Sequence, residues 1–457
     1  MSISNRYIGV IGTRQVSSCI APSAKWFRQI GDCSPFFSRK GAGFCGMLDY
    51  SDILHSSTDQ KAACMVSRLV VAYVTLLALI ASGGHARSRV WQGDMLRVAS
   101  ATEPLDSAFA PSQIATAYNF APLYKEGIDG SGQTIALVEV DGFDATDLQA
   151  FDAAYHLPEA RVSQSYVGSP GFHTERGGET TMDLEWAHAL APGAGLHVYY
   201  VDNYEKVRQG WRSMASALRL AMREGASTVS ISLNACGLGP GYRATSRALR
   251  QLVAAGITTF VSSGDSGAHP GPATNCGKRI GVAYPTSDPC VISVGGTSLA
   301  LNPDGTILRE VAWSLSGGGR VKRLSRSTWQ TAPSIPTDRY RWAPDVAFVG
   351  DPLTGISIYY RGSWEQAGGT SVGAPGWSAA WALIQQRARR SGVLVGAGPA
   401  LLYQLANSTG YDQVFHDITR GGNKHYRASQ GWDAVTGLGT PNVAALATGV
   451  QRLAAAR

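Results

Sequence analysis

From about residue 111 onward, short apolar runs rich in β-branched residues recur along the chain. TIALVEV (134–140), GLHVYYV (195–201), STVSISL (227–233), TTFVSSG (258–264) and CVISVGG (290–296) are each closed by Gly, Asn or Asp. Between several of them the pattern changes to a helical one, in DATDLQAFDAAY (144–155), TTMDLEWAHALA (180–191) and SMASALRLAMREG (213–225). Uninterrupted apolar strands separated by helices predict an α/β fold, with a mostly parallel sheet covered by helices on both faces. No internal repeat or low-complexity linker interrupts the pattern, so one large domain over 111–457 is expected. In such sheets the working residues gather where strands end and helices begin.

The helical stretch GGETTMDLEWAHALAPGA (177–194) is the first such place. Glu179 and Asp183 stand four residues apart, about 40° on a helical wheel, and therefore share a face. His188, nine residues beyond Glu179, projects from roughly the opposite face. Such a pair is either the wet side of a surface helix or two carboxyls held together for chemistry, and spacing alone does not choose.

Composition narrows the classes. The 457 residues are 44% hydrophobic and 16% charged, which is globular rather than disordered. The formal charge is +7, yet the basic runs are only RVKRLSR (320–326) and QQRARR (385–390). These read as solvated surface, and no nucleic-acid partner is expected.

The N-terminal part differs. MVSRLVVAYVTLLALIASGGHARS begins at Met65, with Arg68 before an apolar run from Leu69 to Ala81 and small residues ahead of a cut after Ala86. This predicts a signal peptide at 65–86, too short for a comfortable membrane span, and export of the remainder. Residues 1–64 are expected to lie upstream of the true start, and 87–110 to form a short linker. Cys236, Cys276 and Cys290 follow the cut, allowing one disulfide and one free thiol; Cys276 with Cys290 and Cys276 with Cys236 both remain open.

Three further strand-end or loop segments carry chemistry. In AGGTSVGAPGW (367–377), Gly368 and Gly369 permit a sharp turn that sets Ser371 at the start of a long helix, with Pro375 in its first turn. Free backbone N–H groups and the positive helix end there suit a nucleophile that generates an oxyanion. The alternative is that Ser371 or Thr370 is only an N-cap. No His-Gly-Thr string supplies a histidine base, so Glu179 is the candidate base, with Asp183 sharing its proton.

In TFVSSGDSGAH (259–269), Asp265 is either the head of an Asx turn or a carboxyl aimed into the strand-end crevice. Protonated, it would donate to an oxyanion, as a neutral carboxylic acid can. In FHDITRGGNKHYRASQGWDAVTGLGTPN (415–442), Asp417 and Asp433 flank a glycine-bearing loop. Two carboxylates with backbone carbonyls suit a hard cation, and a solvated loop is the alternative.

Together these segments resemble the sedolisin (serine-carboxyl peptidase) family. The likeness runs from APSQIATAYNFAPLYKEGIDGSGQTIALVE (110–139) through AYPTSDPCVISVGGTSL (283–299) and WAPDVAFVGDPLTG (342–355) to GWDAVTGLGTPN (431–442). It implies a subtilisin-like fold and an acid-acting peptidase using Ser371 as nucleophile, Glu179 as base, Asp183 as its partner and Asp265 as oxyanion donor. It also implies one structural Ca²⁺, held by the side chains of Asp417 and Asp433 and the carbonyls of Ile418, Ser429 and Gly431. Glu139 matches a glutamate that extends the carboxylate network in some members, while Leu233 replaces a tryptophan often found with it.

The linker 87–110 stands where members usually carry a large prodomain. The expected protein is thus an exported, monomeric endopeptidase acting on proteins or peptides, with no stable membrane span. A tripeptidyl-type exopeptidase of the same chemistry and a catalytically silent binding protein of the same fold are the alternatives.

Overall fold

The computed structural model describes residues 103–168, 177–202, 207–235, 238, 241–270 and 279–456. The upstream segment 1–64, the signal peptide 65–86, most of the linker 87–110, and Cys236 and Cys276 lie outside the described residues. Cys290 is a free, half-buried thiol that burial pushes up to about 12.

The five apolar runs all form strands of one sheet. β1 (Thr134–Glu139), β3 (Gly195–Tyr200), β4 (Thr228–Ile231), β5 (Thr258–Ser262) and β6 (Ile292–Leu301) are joined by β2 (Arg161–Tyr166), and β7 (Ile307–Ala312) pairs antiparallel to β6. A hairpin of β8 (Gly319–Ser325) and β9 (Tyr340–Ala343) precedes β10 (Val346–Val349), which closes the order β10-β6-β5-β4-β1-β3-β2. Every pairing along that path is parallel. β2 was not foreseen because RVSQSY is an edge strand with a largely exposed, polar face.

Alternation explains why the strands read as continuous apolar runs. Ile135 and Leu137 of β1 enter one core with Phe260, Val294, Trp186, Trp377 and Trp381. Ala136 and Val138 enter the core on the opposite face with Val229, Ile231, Val261, Trp211 and Leu218. Each strand therefore buries both of its faces.

The helices come as α1 (Pro111–Ala117), α2 (Ala121–Lys125), α3 (Ala145–Ala154), α4 (Gly178–Leu190), α5 (Val207–Arg223), α6 (Tyr242–Ala254) and α7 (Gly373–Arg390). α8 (Gly398–Ala406), α9 (Tyr411–Val414) and α10 (Val443–Ala455) follow the antiparallel pair β11 (Ile356–Tyr360) and β12 (Ser363–Ala367). α4 and α7 cover the first core, α5 and α6 the second. All thirteen residues of α4 are buried, which removes the reading of its carboxylates as a wet surface face.

The two basic runs have structural places. Residues 320–325 of the first belong to β8, and the second ends α7, where cations oppose the helix dipole. There Arg387 pairs with Glu126 at 2.9 Å and Arg390 donates to Gly127 O at 2.8 Å. Among the described residues no helix is long and apolar enough to cross a membrane.

Candidate active site

The carboxyl ends of β1, β4 and β5 meet the first turns of α4 and α7. β3 lies on one side of β1 and β4 on the other, so the chain changes direction across the sheet at β1, where ligands bind in open α/β sheets. Glu139 is the last residue of β1, Ser232 follows β4, and Asp265 follows β5. Glu179 and Asp183 enter from α4, and Ser371 from the turn before α7.

Ser371, Asp183 and Glu139 are at most 1% exposed and Glu179 is 6% exposed. The Ser371 hydroxyl faces Glu179 closely enough to favour its ionised form, although the gap is longer than a closed hydrogen bond. Such gaps are usual before substrate binds. Ser371 is not the cap of α7: Val372 holds that place and no side chain caps the helix.

Burial pushes the Glu179 carboxyl well above its usual range, and the neighbouring Asp183 and Asp265 charges push it further. Asp183 rises for the same first reason, with Glu139 the next cause. Glu139 is pushed up to about 8 by burial and then by Glu179, against hydrogen bonds from Asp183 and Thr180 that lower it. Glu179, Asp183 and Glu139 therefore form a row that cannot all ionise together, and its protons leave stepwise as a property of the row.

His188 takes no part. Its Nε2 donor lies 2.7 Å from Pro158 O and 3.5 Å from Asp152, across α4 from the row, as the wheel predicts.

Asp265 is locked against the turn that carries Ser371. Its Oδ1 accepts from both Thr370 N and Thr370 Oγ1 at 2.7 Å, while Gly264 N donates to Thr370 Oγ1 at 2.9 Å. Those bonds cross 105 residues of sequence, so Asp265 does more than head a local turn. Gly369 makes the approach possible: its φ is +117°, and a Cβ there would lie 2.7 Å from Asp265 Oδ2. Thr370 as the holder of Asp265 was missed from sequence, because the contact is long-range and nothing local marks it.

Two more residues complete the surroundings. Ser232 Oγ donates to Asp183 Oδ2 at 2.6 Å, and Thr180 Oγ1 donates to Asp141 O at 2.7 Å beside Glu139. Neither Ser232 nor Thr180 was singled out in the sequence.

The C-terminal loop brings Asp417 and Asp433 to one side of Tyr411, whose hydroxyl feels both charges. Gly431 N donates to Asp417 Oδ2 at 2.8 Å, and Asp417 Oδ1 is buried with no donor at hydrogen-bond distance. Asp433 accepts from Val435 N, Thr436 N and Thr436 Oγ1 at 2.8–3.0 Å, and from Ser429 N at 3.4 Å. Burial raises both carboxyls, Asp433 to about 6, and only His416 lends positive charge, to Asp417. Asp417 Oδ1 is the carboxyl oxygen left for a hard cation, whereas both oxygens of Asp433 already accept hydrogen bonds that a cation would have to displace or share. Among the described residues no three His, Cys, Asp or Glu side chains converge, so a cation there would depend on backbone carbonyls as well.

Comparison with known proteins places the chain among relatives. The chain is 33% identical over 366 residues to kumamolisin of Bacillus sp. (strain MN-32), covering 73% of this chain and 62% of that protein. It is 26% identical to tripeptidyl-peptidase 1 of Dictyostelium discoideum, covering 68% of this chain and 53% of the relative. It thus spans less than two thirds of the length of these relatives. Among solved structures, Pseudomonas sedolisin, a serine-carboxyl proteinase complexed with two molecules of pseudo-iodotyrostatin, superposes with a TM-score of 0.64 at 26% identity. That match covers 78% of this chain and 99% of the sedolisin chain. The subtilase family model matches residues 174–432, more than half of the chain, and with these relatives it places the protein in the subtilase family, on its sedolisin-type serine-carboxyl branch.

Proposed function

We propose that the chain is an exported serine-carboxyl endopeptidase that hydrolyses peptide bonds at acidic pH through an acyl-enzyme on Ser371. The observation that carries this reading is the buried Ser371 hydroxyl facing Glu179 in a carboxyl row from which the nearest histidine of α4 is turned away.

In this reading Ser371 Oγ attacks the scissile carbonyl carbon and its proton passes to Glu179. The carbonyl π electrons move onto oxygen, and protonated Asp265 donates a hydrogen bond to that oxyanion. Collapse breaks the C–N bond, and the Glu179 carboxyl returns the proton to the departing amine. Glu179 then takes a proton from a water that attacks the acyl carbon, and returns it to Ser371 Oγ as the ester C–O bond breaks and the acid leaves.

Like-charge repulsion lets the row give up its first proton at much lower pH than its last. The competent state holds a single shared negative charge with Asp265 still neutral, and both conditions favour acid. In its ionised form Asp265 could not donate to the oxyanion.

Asp417 and Asp433, with the carbonyls of Ile418, Ser429 and Gly431, would hold Ca²⁺. The ion supplies structural charge compensation there, and no catalytic step passes through it. The signal peptide at 65–86, export, a monomeric state and protein or peptide substrates complete the proposal. A tripeptidyl-type exopeptidase is the second reading, favoured by the tripeptidyl-peptidase relative.

The test is hydrolysis of casein and of N-terminally free and blocked peptides from about pH 3 to 8, spanning carboxyl and histidine titration, for the exported form and Ser371→Ala. An acid optimum lost in Ser371→Ala supports the mechanism, and a neutral optimum overturns the carboxylate base. Cleavage of free peptides alone, three residues at a time, identifies the exopeptidase.

A further inference from the structure

The carboxyl row has a non-carboxyl donor whose place in the fold ties it to the nucleophile. Ser232 is the first residue beyond β4, fully buried, beside the end of β1 that carries Glu139. Its hydroxyl lies 2.6 Å from Asp183 Oδ2 and 3.3 Å from the carbonyl oxygen of Ser371. We propose that Ser232 is a positioning residue, fixing the Asp183 carboxyl between Glu179 and Glu139 and coupling it to the backbone of the nucleophile. The inference rests on the serine-carboxyl reading of the site.

The chemistry follows from the two acceptors. A hydroxyl has one hydrogen and two lone pairs. With Asp183 ionised, the hydrogen goes to its carboxylate, the shorter and charge-assisted bond. With Asp183 protonated, its O–H can donate to the Ser232 oxygen, and the serine hydrogen can turn to the Ser371 carbonyl. Ser232 stays bonded in both protonation states, so the nucleophile's turn keeps its support while the row exchanges a proton.

Leu233, the next residue, offers no side-chain donor. Thr180 Oγ1 is engaged at 2.7 Å by Asp141 O and reaches Glu139 only at 3.4 Å. Ser232 is therefore the short hydroxyl bond the row receives among the described residues.

Removing that donor makes every anionic state of the row harder to form. Hydrogen bonds to charged groups are among the stronger ones, so Ser232→Ala should move the acidic limb of kcat/KM up by about one to two pH units. KM should stay within about twofold, since only the chemical step is touched. Ser232→Cys keeps the side chain with a feeble donor and should show the same shift.

The same pair is read without catalysis by thermal melting from about pH 3 to 8. The steepest pH dependence of Tm should move upward in both variants, even if peptide hydrolysis is absent from the parent. Absence of parent activity would thus overturn the peptidase reading separately. A lower Tm with unmoved pH profiles in both variants would overturn the proposal. So would a shift in Ser232→Ala that Ser232→Cys restores to the parent position, because packing and not donation would then be the cause.

Discussion

In the proposed mechanism Asp265 must keep a proton while Ser371 must lose one. Replacing Asp265 separates charge from donation. Asp265→Ala is expected to lower kcat by about 10²–10³-fold, the usual cost of an oxyanion donor. Asp265→Asn retains a neutral N–H donor at every pH, so it should keep more activity and extend the profile toward neutral pH. A pH–rate comparison of the two decides whether donation or charge is what Asp265 contributes. Ser371→Ala should cost at least about four orders of magnitude in kcat, since the remaining groups cannot form the acyl-enzyme.

At this scale the sequence was informative where chemistry is local. Glu179 and Asp183 share a helix turn, and glycines frame Ser371, so both features were visible in strings of a few residues. Thr370 holding Asp265 and Ser232 holding Asp183 were not visible. Their partners are 105 and 49 residues away, and neither motif has a local signature.

Helix α7 is the element on which the site depends most. It carries Ser371 ahead of its first turn and runs under the sheet with Trp377 stacked 5.9 Å from Phe260. Trp377 Nε1 also donates to Ala347 O at 2.9 Å. Trp377→Ala is therefore expected to destabilise by about 3–5 kcal/mol, read from denaturant unfolding. Gly369→Ala tests the turn before α7 instead. Its positive φ and the 2.7 Å approach to Asp265 leave no room for a methyl group, so activity should fall much further than the melting temperature.

β1, β3, β4, β5 and β6 were legible because burial on both faces leaves a continuous apolar run, whereas the four-residue β10 was too short to stand out. Edge strand β2 and the polar hairpin β8–β9 were not legible, because solvent on one side removes that signal.

For the whole molecule, the raised carboxyls set the direction of pH stability. Glu139, with an ordinary value of 4.5, is pushed to about 8 by folding. Between those values the native chain binds more protons than the unfolded one, so stability falls as pH rises. The contribution is fully present below about pH 4.5 and is lost as the pH passes through about 8. Melting temperature should therefore decline from acid toward neutral pH, with a smaller decline in Glu139→Gln. Calcium adds an independent term: chelation, or Asp433→Ala, should lower the melting temperature if the loop binds the ion in the native state. An unchanged curve would remove the site.

The sheet order has one more consequence. β1 sits between β3 and β4, and α7, from the last third of the chain, must dock against β4 and β5 before Ser371 meets Glu179. A chain emerging from the ribosome therefore presents Glu179, Asp183 and Asp265 long before Ser371. The site therefore stays incomplete until α7 has been made, after most of the domain has been synthesised.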